Sequence, residues 1–144
     1  MRLYSILFVA FFCSFAVSAQ KQDTLYTNNG LKYLTIRKGK GSRIREGQIL
    51  RIYYTGKLSD GTVFDSNLRR RPLKIKAGAG ELIEGWEQGL LLMKPREKGI
   101  LWIPAHLGYG SEGVSDPDNP SRYIIPPNSG LIFEIEILEA YKRK

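Results

Sequence analysis

The stretch Leu131-Ile132-Phe133-Glu134-Ile135-Glu136-Ile137-Leu138 alternates, with Leu131, Phe133, Ile135 and Ile137 on one side and Glu134 and Glu136 on the other. Side chains along a strand point to opposite faces in turn, so this period of two marks a half-buried β-strand. The pattern recurs where Leu50, Ile52 and Tyr54 alternate with Arg51, Tyr53 and Thr55, and again over Leu73-Lys74-Ile75-Lys76. There Pro72 stands at the strand start, where its missing N–H costs little. Ser59-Asp60-Gly61-Thr62 carries the Asp-Gly pair of a tight hairpin turn, and Val63, Phe64 and Asp65 return from it as a strand. Residues 31–37 and 100–103 read as further strands, with a turn at Gly39-Lys40-Gly41-Ser42.

One segment has a different period. Ile83, Trp86 and Leu90 fall at helical spacing and define a short amphipathic helix. Gly85 and Gly89 weaken that helix by about 1 kcal/mol each relative to alanine. Their presence is easier to understand where another group approaches closely. The sequence therefore predicts an α+β domain: a strongly bent antiparallel sheet of five to six strands wrapped on one short helix.

The chain has 144 residues, enough for one hydrophobic core and not two. Its first segment stands apart from that core. Arg2 supplies a positive start, residues 3–17 are almost wholly apolar, and Val17-Ser18-Ala19 offers the small residues of a signal-peptidase site. Residues 1–19 are therefore read as a secretory signal cleaved after Ala19, too short in its apolar run for a stable membrane anchor. The sole cysteine, Cys13, lies within it, so the exported chain is expected to hold no disulfide and to rely on packing. Residues 20–30 are polar and aperiodic and are read as a flexible leader, residues 31–141 as the domain, and residues 142–144 as a basic tail.

With 22 Lys+Arg against 14 Asp+Glu the net charge is +8, which invites a nucleic-acid reading. The positive residues are scattered, apart from Arg37-Lys38, Arg69-Arg70-Arg71 and Lys142-Arg143-Lys144, and no exposed aromatic residues are interleaved with them for base stacking. A solvated face, or attraction to an anionic envelope surface, accounts for them better. No His, Cys or carboxylate cluster has metal-ligand spacing; His106 is the only histidine, and Asp116 and Asp118 lack the other ligands of a calcium loop. No metal or cofactor is expected.

Tyr54-Thr55-Gly56, Val63-Phe64-Asp65, Glu81-Leu82-Ile83-Glu84-Gly85-Trp86, Tyr109-Gly110 and Ile124-Ile125-Pro126-Pro127 together describe a β domain lining an apolar, aromatic-walled cleft with one buried acid. An alternating aromatic stripe is also what a plain core looks like, and spacing does not choose between them. These segments, with Asp60-Gly61-Thr62-Val63-Phe64-Asp65-Ser66 and Ile103-Pro104-Ala105-His106-Leu107-Gly108-Tyr109-Gly110, resemble in order and spacing the FKBP-type peptidyl-prolyl cis-trans isomerases of exported bacterial type.

That resemblance implies an enzyme that turns X–Pro bonds and assists folding of exported proteins in the periplasm or envelope. It implies a cleft walled by Tyr54, Phe64, Asp65, Leu82, Ile83, Tyr109, Ile125 and Phe133, with Trp86 as floor. Leu73 stands where an aromatic wall is common. The stretch from Asp65 to Pro72 is about one residue short, so either Arg69 or Arg70 is the arginine expected near Asp65 and Tyr54. A longer loop, 111–122, rich in Asp, Asn and Pro, bears on substrate preference. Proline-containing polypeptides, macrolides of the FK506/rapamycin type, and a monomeric state follow from the same resemblance. The competing reading is a non-catalytic binding module or holdase that grips proline segments in the same cleft.

Overall fold

The computed structural model describes residues 24–142. The signal segment, the first residues of the leader and the last two residues of the tail lie outside them. Among the described residues nine strands form: β1 (Thr24–Tyr26), β2 (Lys32–Arg37), β3 (Ile49–Leu58), β4 (Val63–Ser66), β5 (Leu73–Lys76), β6 (Lys98–Ile103), β7 (Val114–Asp116), β8 (Asn119–Ile125) and β9 (Leu131–Tyr141). The described residues also hold one α-helix, α1 (Glu84–Leu92), and a single 3-10 turn at Ala105–Leu107.

Seven strands make one antiparallel sheet in the order β1-β2-β6-β9-β3-β4, with β5 also on β3, while β7 and β8 form a separate hairpin. The alternating stretch that opened the reading is β9. It lies between β6 and β3, and its inward residues Leu131, Phe133, Ile135 and Ile137 are all buried. On its outer face Glu134 pairs with Lys57 on the adjacent β3, and Glu136 reaches across β6 to Arg37 on β2, each at 2.7 Å. Pairs as exposed as these contribute about 0–1 kcal/mol, so the buried face carries the sheet. Burying each Leu or Ile there stabilises by about 1.5–3 kcal/mol.

Three sequence expectations need correction. The sheet has seven strands, one more than the expected upper count, because β1 escaped notice, as did the separate β7–β8 hairpin. Within the leader, Thr24–Tyr26 is not free chain but an edge strand paired with β2. The turn after it is tied down: Asn29 Nδ2 donates to Gln88 Oε1 at 2.8 Å, and the Asn29 carbonyl meets His106 Nε2 at 3.0 Å. Across 111–122, Asp116 is buried and accepts from Arg122 Nε at 2.8 Å, which draws a hairpin out of what read as loop. That guanidinium holds the Asp116 carboxyl below its usual range.

At nine residues α1 is too short to be stable alone. It is held by packing on β6. A Cβ on Gly85 would run into Ile103, and one on Gly89 into Leu101, so the two glycines let helix and sheet meet at backbone distance. Trp86 and Leu90 project from the same face into the core.

Candidate functional site

Where β3 and β9 curl around the N-terminal end of α1, the inner face opens into a cleft of about 430 Å³. Tyr54 from β3, Phe64 and Asp65 from β4, Leu73 from β5, Leu82 and Ile83 before α1, Trp86 within it, Tyr109 after β6 and Phe133 from β9 all line it. Nine of the twelve positions named from the sequence line this cleft, and the aromatic rings among them interlock. Trp86 stands edge-on to Tyr54 and to Phe133, each at a centroid distance of 5.1 Å, and Phe64 is edge-on to Phe133 at 5.5 Å. Edge-to-face packing aligns positive ring edges with negative ring faces and locks each ring by its neighbours. Gly56 makes room for this, since a Cβ there would come within 2.7 Å of both Phe133 and Phe64.

The polar groups are few. Tyr54 donates its hydroxyl to Asp65 Oδ2 at 2.5 Å. Burial, and then this bond to a carboxylate, push the Tyr54 hydroxyl up to about 12. Tyr109 is also raised, by burial first and then by the Asp65 charge. Both phenols therefore stay neutral and able to donate well beyond neutral pH. Ahead of α1, Leu82 N–H donates to Glu87 Oε1 at 3.0 Å, while the Ile83 N–H has no acceptor among the described residues. It is free for a ligand carbonyl at the positive end of the helix.

Several expectations about single residues change. Asp65, expected to be buried, is exposed at the cleft mouth. Ile125 is not among the residues lining the cleft; at the end of β8, 3% exposed, it joins the core. Neither Arg69 nor Arg70 hydrogen-bonds Asp65 or Tyr54 among the described residues, although the Arg70 charge acts on the Tyr54 hydroxyl and partly offsets its rise. The group that shapes this corner is instead Asn67, which the sequence reading missed. It is buried, its Oδ1 accepts from Tyr54 N–H at 2.8 Å, and its Nδ2 donates to the Ile52 carbonyl at 3.0 Å. Glu81 is a second lining residue the reading missed. An Asn directly after a strand is a turn signal, and that was the available clue to Asn67.

Among the described residues no group of three His, Cys, Asp or Glu is placed to hold a metal ion. The cleft combines neutral donors with an apolar floor, and no acid–base pair lies within it.

Residues 40–138 match the model of the FKBP-type peptidyl-prolyl cis-trans isomerase family. An FK506-binding protein of Neisseria meningitidis serogroup B is 40% identical over 114 residues, covering 78% of this chain and 98% of that protein. The human peptidyl-prolyl cis-trans isomerase FKBP2 is 45% identical over 100 residues, 69% of this chain and 66% of its own. Among solved structures, AtFKBP13 superposes with a TM-score of 0.74 at 34% identity, covering 83% of this chain and 99% of that one. FkpA from Escherichia coli gives 0.71 at 33% identity, over 83% of this chain and 52% of that one. The chain belongs to the FKBP-type peptidyl-prolyl cis-trans isomerases. It is an enzyme that turns the peptide bond preceding proline.

Proposed function

We propose that the aromatic cleft is where the bond is turned, and that the enzyme assists folding of proteins exported to the cell envelope. Rotation about a peptide bond meets a barrier of about 18–20 kcal/mol because the C–N bond has partial double-bond character. Twisting breaks that resonance and with it the charge separation of the amide. The twisted form is thus easier to desolvate than the planar one, and an apolar slot favours it selectively, which is the differential binding that catalysis needs. Each 1.4 kcal/mol of such preference is worth about tenfold in rate.

In this reading the proline ring rests on Trp86 between Tyr54, Phe64, Ile83 and Phe133. The Ile83 N–H and the Tyr109 hydroxyl hold two substrate carbonyls and set the direction of the peptide. Asp65 fixes the Tyr54 ring through its hydrogen bond and places a negative charge near the twisting carbonyl. The observation that carries the assignment is the interlocked set of rings around an open cavity, which a plain core would have filled. The same pocket would accept macrolides of the FK506/rapamycin type, in keeping with the name of the Neisseria relative.

Trp86→Leu tests the assignment. It keeps an apolar contact and removes the flat surface, so affinity for a proline peptide should fall by more than the thermal midpoint predicts. A collapsed midpoint with unchanged binding per folded molecule would make Trp86 only a core plug.

Amide rotation needs no proton transfer. kcat/KM should stay nearly flat from about pH 6 to 9, falling only as the raised tyrosine hydroxyls ionise above pH 10. His106, outside the cleft, should be replaceable by Gln without effect. A bell-shaped profile centred near neutrality that vanishes in His106→Gln would sink the mechanism.

Export rests on the basic start, the apolar run 3–17 and the small residues ending at Ala19. The released domain is then a monomer without a stable membrane anchor. Mass analysis of protein from the envelope fraction should give a chain beginning at Gln20; the full-length mass there would overturn cleavage.

A further inference from the structure

The sheet edge farthest from the cleft carries a second surface that catalysis does not use. Here the segments around residues 38–44 and 93–97 are laced together: Lys40 N–H donates to the Pro95 carbonyl and Ile44 N–H to the Met93 carbonyl, both at 2.8 Å. Beneath them the buried Glu97 carboxylate accepts from the Tyr33 hydroxyl and from Gly39 N–H at 3.3 Å, which fixes both segments to the sheet. This lacing brings Lys38, Arg43 and Lys94 around a polar cavity of about 600 Å³. Lys38, Lys40 and Arg96, with Arg37, line an adjoining hollow of about 470 Å³.

The acids at this surface are Glu97, already engaged below it, and Glu136, paired with Arg37. No salt bridge among the described residues engages Lys38, Lys40, Arg43, Lys94 or Arg96. One exposed apolar group, Leu25 on β1, lines the larger cavity beside Lys38, Arg43 and Lys94.

We propose that this face docks reversibly on an anionic phospholipid bilayer. Three observations favour a bilayer over a compact ligand. The cations spread across two hollows instead of converging on one point, and the exposed Leu25 beside them offers an apolar contact of the kind a headgroup region takes. The apolar run 3–17 ends only residues 18–23 before β1, a span of at most about 20 Å when extended, so in a precursor held in the membrane by that run this edge is within reach of the lipid. Finally, the face shares no lining residue with the cleft. Helix α1 runs from Ile83 at the cleft to Leu92 at the basic cavity, about 13 Å away. A docked enzyme would keep its cleft open to solvent and to unfolded chains.

The test uses the chain from Gln20 onward, which carries every paired strand and the whole core from Leu31 to Ile137. Sedimentation with vesicles containing anionic phosphatidylglycerol should show binding that is absent with pure phosphatidylcholine and lost near 0.5 M salt, where the screening length is only a few ångströms. Lys38→Glu with Lys94→Glu should weaken it at least about tenfold. Isomerase activity should be unchanged. Lys74→Glu with Lys76→Glu, the same change of net charge on the other edge, should weaken it far less. Equal loss in both pairs would mean net charge alone attracts the protein, and the proposal falls. It falls equally if anionic vesicles bind nothing, or if this face instead binds duplex DNA or an acidic polypeptide in preference to vesicles. Because the readout is sedimentation, a failure here would leave the cleft assignment untouched.

Discussion

Phe133→Ala should lower the unfolding free energy by about 3–5 kcal/mol, as truncating a buried aromatic usually does. For a domain of this size that is a fall of roughly 10–20 °C in the thermal midpoint. The ring is 4% exposed, stands 5.1 Å from Trp86, 5.5 Å from Phe64 and 6.3 Å from Tyr54, and covers Gly56 on the neighbouring strand. Its loss would free three other rings at once, so turnover per folded molecule should fall as well. Phe133→Leu refills much of the volume without the ring edges, and should recover the midpoint more completely than the turnover. Calorimetry and a proline-peptide assay on both variants decide the matter. A destabilisation below about 1 kcal/mol for Phe133→Ala, or full activity at temperatures where it stays folded, would show that the rings do not hold one another.

Asn67→Asp should cost about 2–3 kcal/mol at neutral pH although it is nearly isosteric. The amide Nδ2 donates to the Ile52 carbonyl, and a carboxylate oxygen in its place would face that carbonyl as acceptor against acceptor in a buried position. Burial and the carbonyl both favour the protonated carboxyl, which can still donate, so its folded-state pKa must lie above the unfolded value. The stability it supports is therefore present at low pH and lost as pH rises through the folded pKa. Denaturant midpoints of variant and parent should lie close at pH 4 and diverge toward pH 8. A gap that is constant, or that widens on acidification, would contradict the assigned hydrogen bonds. Because Asn67 also holds Tyr54 N–H, the neutral-pH variant should lose activity as well as stability.

Most of the architecture was legible because burial imposes a period. The alternation in β3, β5 and β9, the Asp-Gly turn at Asp60-Gly61 and the helical spacing of Ile83, Trp86 and Leu90 all mark an inward face. What stayed hidden had no such face. β1 is three residues long and exposed at an edge, and β8 is exposed at every position except Ile125, so neither carries a hydrophobic stripe to read. At the site, the lining side chains were legible through motifs, whereas the supports were not. Asn67 works through a turn and two backbone contacts, and Ile125 sits within a motif but its side chain turns into the core. Exposure of Asp65 depends on how far the β4–β5 loop folds over it, which local sequence does not encode.

The position of β9 has a consequence for the order of events when the chain forms. It is last of the strands in sequence yet central in the sheet, pairing with β6 on one side and with all ten residues of β3 on the other. Before it arrives, β1, β2 and β6 can assemble as one ribbon and β3, β4 and β5 as another, with no backbone ladder joining the two. A growing or threading chain thus holds two half-sheets until its final segment is delivered, and Phe133, the ring that meets three others in the cleft, comes with that segment. Such long-range closure is slow compared with local pairing. Under the export proposed above, the segment 1–19 would therefore have time to engage its machinery while the domain is still open. Completion of the fold and completion of the catalytic surface would then be a single late event, on whichever side of the membrane residues 131–141 emerge.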